Sequence, residues 1–196
     1  MKPKPILFST NMVQALLDGR KTQTRRVIKP QYAEKSDGTK IPLDEFAKEF
    51  DLKYFAPYQS GDILWVRETW AECATIESFL TQTDLYAYKA DYSITDVPWK
   101  WKPSIHMPFT AARIFLRVTD VRAERLQDIT DADAKKEGML RGEEDYDCEL
   151  AKVFPTASIA AFSRLWDSLN AKRGFAWDSN PFVWVYEFER CEKPQG

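Results

Sequence analysis

Only one histidine, His106, three cysteines and seven glycines occur in the 196 residues of this chain. With one histidine, neither a multi-histidine metal site nor a Ser-His-Asp triad on a second histidine can be built, and His106 beside Met107 and Pro108 reads as a packing or hydrogen-bonding residue. Cys73, Cys148 and Cys191 are odd in number, widely spaced and free of any CxxC pattern. That argues against a disulfide framework or a zinc site and points to a reducing compartment. GxGxxG after a strand, GxxxxGK(S/T), HExxH and GxSxG are all missing, so the common dinucleotide, P-loop, zincin and serine-hydrolase signatures are excluded. Long apolar runs are lacking too. Met1-Lys2-Pro3-Lys4-Pro5 is followed by only three apolar residues before Ser9, which offers neither a signal peptide nor a membrane span, and a cytoplasmic protein is expected. No repeat or low-complexity segment is present.

What is present is a globular composition. Hydrophobic residues make up 44% and aromatics 14%, enough to bury a core without staples, and the length suits one domain, 1–196, carrying insertions at about 31–60 and 72–110. Pro5 to Phe8 reads as a buried strand, and Met12, Val13, Leu16 and Leu17 recur at helical spacing before Gly19 offers a left-handed cap. Residues 61–68, 112–125 and 182–189 read as strands, the second with Ile114, Leu116 and Val118 on one face. Helices are expected at 11–18, at 131–137 behind a capping pair of Thr130 and Asp133, and at 158–169. One helical turn is expected near residues 43–50, and residues 72–110 read as an irregular aromatic lobe. The fold class is α/β (α+β), with a curved or closed, mostly antiparallel sheet flanked by helices.

Charge is unevenly spread. The net charge of −2 speaks against a broad duplex-DNA surface. Between Asp18 and Glu34, however, Arg20, Lys21, Arg25, Arg26 and Lys29 stand without an acidic residue, while Glu143, Glu144, Asp145 and Asp147 form an acidic stretch. A local anion site fits this pattern, and so does a solvated strand edge. In a straight strand Lys21 and Thr24 would point to opposite faces, so cooperation between them requires a bend just after Gly19. Trp70, after the polar pair Arg67 and Glu68, is the tryptophan best placed by sequence to stack on a base.

Leu17 to Arg26 reads Leu-x-Gly-Arg-Lys-Thr-x-Thr-x-Arg. Gly61-Asp62 then opens a strand, Ile129-Thr130 leads to Glu137-Gly138-Met139, and an aromatic strand closes the chain. This order resembles the ASCH domain family of the PUA-like group, small β-barrels flanked by helices, and in its longer form the ASCH proteins of bacteriophages and prophages. The resemblance covers roughly half of the chain. The functional segments are similar to those of bacterial N(4)-acetylcytidine amidohydrolases, and the resemblance implies Lys21 and Thr24 as catalytic lysine and threonine nucleophile and Glu137 as catalytic carboxylate. It implies no cofactor and no metal, and action on a modified nucleoside or on RNA; with no heptad and no long exposed apolar edge evident, a monomer is expected.

The residue chemistry supports that implication independently. A threonine hydroxyl becomes a nucleophile when a base takes its proton, and a lysine becomes such a base when desolvation or neighbouring cations lower its pKa. Glu137, at the negative end of a helix, could deliver a proton to a leaving amine. Arg20, Arg25, Arg26, Arg67, Glu68 and Trp70 are the expected substrate- or RNA-binding residues. Lys21 and Thr24 are expected near a surface site, where substitution costs little stability. Two alternatives stand beside hydrolysis: a non-catalytic module binding RNA or a modified nucleotide, and a ribonuclease.

Overall fold

The computed structural model describes residues 2–73, 85–92, 97, 99–139 and 154–194. In chain order the strands are β1 (Lys4–Leu7), β2 (Gln23–Val27), β3 (Tyr32–Glu34), β4 (Lys40–Pro42), β5 (Ile63–Arg67), β6 (Trp70–Glu72), β7 (Tyr86–Tyr88), β8 (Phe115–Arg125) and β9 (Phe182–Cys191). The α-helices are α1 (Thr10–Leu17), α2 (Leu43–Phe46), α3 (Asp131–Lys136) and α4 (Ala157–Asn170). The acidic stretch from Glu143 to Asp147 and Cys148 lie outside the described residues; among the described residues no disulfide joins Cys73 and Cys191.

The main sheet has the order β1-β5-β8-β9-β2. The β5/β8 and β2/β9 pairs are antiparallel, and β1/β5 is parallel. The architecture is therefore mixed α/β with a mainly antiparallel sheet. Among the described residues that sheet is open, with β1 and β2 at its ends, so of the curved or closed forms expected from sequence the closed one is not adopted.

By contact the chain divides into two compact units. The first comprises Met1–Gly19, Gly61–Arg117 and Glu189–Gly196. Its core gathers Trp70, Met107, Ala111, Ala112 and Phe115. Around the start of β8, Ile114, Leu116 and Val118 are buried on one face and Arg117 and Thr119 are exposed on the other, while Phe115 on that second face is buried in the core cluster of this unit. His106 ends a 3-10 turn in this unit and is exposed, so of the packing and hydrogen-bonding roles expected from sequence the packing one is not adopted.

The second unit comprises Arg20–Ser60 and Val118–Phe188. Ile159, Phe162 and Trp166 of α4 pack with Leu126, Ile129, Ala134, Val183 and Val185. Their i, i+3, i+7 spacing lines one helix face, and each such side chain contributes about 1.5–3 kcal/mol when fully buried. Thr156 caps α4 by accepting a hydrogen bond from the Ile159 amide at 3.3 Å. Within residues 31–60 the structure adds a hairpin, β3 with β4, that has no clear sequence signature. The helical turn expected near 43–50 is α2, only four residues long.

Candidate active site

Gly19 has φ +72°, and its amide closes α1 by donating to the Leu16 carbonyl at 3.1 Å. The chain that follows changes partner within two residues. Lys21 forms an isolated antiparallel bridge with Glu137, and the Thr22 amide donates to the Lys136 carbonyl at 2.9 Å. The Thr22 carbonyl already accepts from the Phe188 amide at 2.9 Å, and from Gln23 the chain runs as β2 beside β9. The break from strand geometry that cooperation between Lys21 and Thr24 requires lies here.

Glu137 is fixed from the other side. Thr130 Oγ1 accepts from the Asp133 amide while the Asp133 carboxylate accepts from the Thr130 amide, a capping box that starts α3. Gly138, with φ +93°, ends it. Its amide donates to the Lys135 carbonyl and the Met139 amide to the Ala134 carbonyl, the paired bonds of a Schellman cap. Glu137 is thus the C-cap residue, and its own carbonyl is left for a partner outside the helix.

Lys21 takes that position. Its Nζ donates to the Glu137 carbonyl at 2.9 Å and to Glu137 Oε2 at 2.7 Å, and Arg25 donates to Oε1 at 3.2 Å. Lys21 and Glu137 are 2% and 3% exposed. The expectation of a surface site is therefore overturned: these charges have left water, so their pairing is obligatory. Burial pushes the Lys21 pKa down; Glu137 opposes this, and Arg26 and then Arg25 add to it. A desolvated lysine beside a carboxylate is suited to exchange a proton with it.

Arg25 serves a different purpose from the one expected. Its side chain is inaccessible and also pairs with Glu124 and, at 3.6 Å, with Asp133, while its guanidinium lies 5.8 Å from the Phe162 ring centroid. Arg122 bridges Glu124, Asp133 and Glu187 around it. Arg25 is an interior counter-ion, inaccessible to an external phosphate.

The pleat of β2 puts Thr24 and Arg26 on the face opposite Arg25. Thr24 pairs in register with Tyr186, and Arg26 with Trp184. Thr24 and Tyr186 are buried and Arg26 is half-buried. Tyr58 stands edge-on to Tyr186 with ring centroids 5.1 Å apart. Burial lowers the Arg26 pKa, with Tyr58, Glu137 and Tyr186 opposing and Arg173 adding. Glu137 and Lys21 are thus close enough to Arg26 for their charges to be felt, which links the Thr24 face to the ion pair. Burial raises the Tyr186 pKa, so its hydroxyl keeps its proton. Tyr58 and Tyr186 escaped sequence reasoning because each looked like one more aromatic in an aromatic-rich chain.

The remaining expected residues are placed as follows. Arg20 donates to the Gly138 carbonyl at 2.9 Å, bracing the turn after Glu137. In the first unit, Arg67 donates to the Ile105 carbonyl, and Glu68 receives both Arg113 Nε at 2.9 Å and an Arg113 terminal nitrogen at 3.0 Å. Trp70 is 3% exposed in the core cluster with Tyr86 against its ring, so it presents no face to a base. A cavity of about 340 Å³ in the second unit is lined by Ala47, Lys48, Phe50, Leu52, Ala123 and Phe182 among others, and by none of Lys21, Thr24, Arg26 or Glu137. Among the described residues no group of three or more His, Cys, Asp or Glu is placed to hold a metal ion, and no helix is long and apolar enough to cross a membrane.

No family model and no curated protein matches the chain. Among solved structures it is similar to protein EF3133 of Enterococcus faecalis, described under the family model DUF984, with 11% identity and a TM-score of 0.45 over 97% of this chain and 80% of that one. It is also similar to an ASCH domain from Lactobacillus crispatus, with 12% identity and a TM-score of 0.37 over 91% of this chain and 70% of that one.

Proposed function

We propose that this protein is an amidohydrolase of ASCH type that removes the acyl group from a modified nucleoside such as N(4)-acetylcytidine, using Lys21, Thr24 and Glu137 and no metal. The observation that carries the reading is the buried contact of Lys21 Nζ with Glu137 Oε2 at 2.7 Å, three residues before a buried threonine. A proton shared across that contact makes the ion pair interchangeable with a neutral amine and a carboxylic acid. In the neutral form Lys21 removes the Thr24 hydroxyl proton as Oγ1 attacks the acyl carbon. Glu137 gives its proton to the departing amine as the C–N bond breaks, leaving acyl-threonine, a lysine cation and a carboxylate. Water then attacks the ester and loses a proton to Glu137, while the Thr24 oxygen recovers one from Lys21 as it leaves. The sum is amide plus water giving amine plus carboxylic acid.

One observation favours a second reading, a module that binds RNA or a modified nucleotide without turnover: both Glu137 oxygens and the Lys21 ammonium already have partners inside the fold. Acetylcytidine turnover and labelled-RNA affinity, measured on wild type, Thr24→Ala and Arg26→Ala, separate the two. Hydrolysis at Thr24 requires wild-type turnover that Thr24→Ala abolishes. Wild-type turnover in Thr24→Ala removes the covalent step, and RNA affinity lost only in Arg26→Ala, with no turnover anywhere, favours the binding module. Cleavage of the labelled RNA would make the protein a ribonuclease.

A further inference from the structure

Thr24 and Tyr186 are register partners on adjacent antiparallel strands, so their side chains rise side by side from one sheet face. Tyr186 is 1% exposed, and its hydroxyl oxygen is buried without a hydrogen-bond partner in the structure. The Tyr58 backbone faces the phenol oxygen as a hydrogen-bonding group that favours its ionised form, and so takes no proton from it. A buried O–H without an acceptor is costly, and its presence calls for a use outside the fold. A phenol hydroxyl also stands further from the sheet than the threonine hydroxyl beside it. Resting on the amidohydrolase reading, we infer that the Tyr186 hydroxyl is the hydrogen-bond donor to the acyl carbonyl oxygen of the substrate when Thr24 attacks it.

As the bond from Thr24 Oγ1 to the acyl carbon forms, the carbonyl π pair moves onto oxygen, and the Tyr186 O–H hydrogen-bonds to that oxyanion without transferring its proton. Burial keeps the phenol protonated, so it is always available as a donor, and the half-buried Arg26 cation on the same face adds long-range stabilisation. Tyr58, half-buried and edge-on to Tyr186, is the side chain an entering acyl group displaces.

Tyr186→Phe removes only the hydroxyl. Its kcat for acetylcytidine should fall on the order of 10²-fold with KM little changed, as for loss of one oxyanion donor. Its melting temperature should change little, because the lost O–H had no acceptor in the fold. Wild-type kcat in Tyr186→Phe would overturn the inference while leaving the amidohydrolase reading intact, and so would a marked fall in melting temperature, which would show the hydroxyl at work in the fold. If the wild-type protein itself does not deacylate, the amidohydrolase reading fails, and calorimetry with acetylcytidine and cytidine decides the role of Tyr186. A preference for the acetylated nucleoside that Tyr186→Phe loses supports a donor to the carbonyl; a preference it keeps, or none in wild type, overturns it.

Discussion

Lys21 Nζ lies 2.7 Å from Glu137 Oε2 and 2.9 Å from the carbonyl oxygen of the same residue, holding both the side chain and the backbone of a helix C-cap. A side-chain contact alone would leave the C-cap carbonyl without this cation. The second bond ties the carboxylate to the helix end, so the geometry of the pair and the integrity of the cap depend on each other.

Breaking this pair from one side should be costly. Glu137→Gln leaves Lys21 and Arg25 facing each other as buried cations, and a loss of roughly 3–5 kcal/mol is expected, as for other broken buried pairs. The double variant Lys21→Met with Glu137→Leu should lose less than Glu137→Gln, since no lysine cation is then stranded. Urea denaturation of wild type and the two variants checks the order.

The depressed Lys21 pKa also sets a sign. Between its lowered folded-state value and the unfolded value of 10.5, the unfolded chain binds more protons at this site, so stability rises with pH. Wild type should therefore gain on Lys21→Met as the pH is raised through that window, measured as the difference in unfolding free energy at successive pH values. A flat difference would show that burial does not perturb Lys21.

Glu68 in the first unit behaves in the opposite sense. Burial raises its pKa, and Arg113 holds it back. In Arg113→Met that restraint is gone and the folded-state pKa climbs further, so the carboxyl is neutral in both states at low pH and charged only in the unfolded chain near neutrality. The variant should consequently cost little below pH 4.5 and progressively more as the pH rises, reaching roughly 3–5 kcal/mol at pH 7. Thermal denaturation of wild type and variant across that range tests the trend.

Trp70→Ala should destabilise by about 3–5 kcal/mol as a core truncation. Affinity for labelled RNA, if wild type has any, should be unchanged in the fraction that remains folded, because the indole is buried against Tyr86 and not offered to a base. An RNA-binding defect without loss of stability would reverse that assignment.

The sequence by itself determined the local elements. β8, α3 with its capping pair, α4 and the cap at Gly19 follow from periods of two and 3.6 and from residues whose backbone preferences act over three or four positions. It also named Lys21 and Glu137 as partners, through the order of segments that resemble the ASCH family. Only the tertiary structure decided what those charges do. Lys21 meets Glu137 across 116 positions and Arg25 meets it across 112, and burial depends on everything packed around such contacts. Five cations that read as one anion-binding run are therefore divided: Lys21 and Arg25 are buried on carboxylates, Arg20 braces a carbonyl, Arg26 lies half-buried on the Thr24 face, and Lys29 is exposed beside the Phe175 ring. Composition states how many charges a segment carries. Whether each faces water or a counter-ion is set by the pleat of β2 and by the elements brought against each side of it, and no local pattern encodes that.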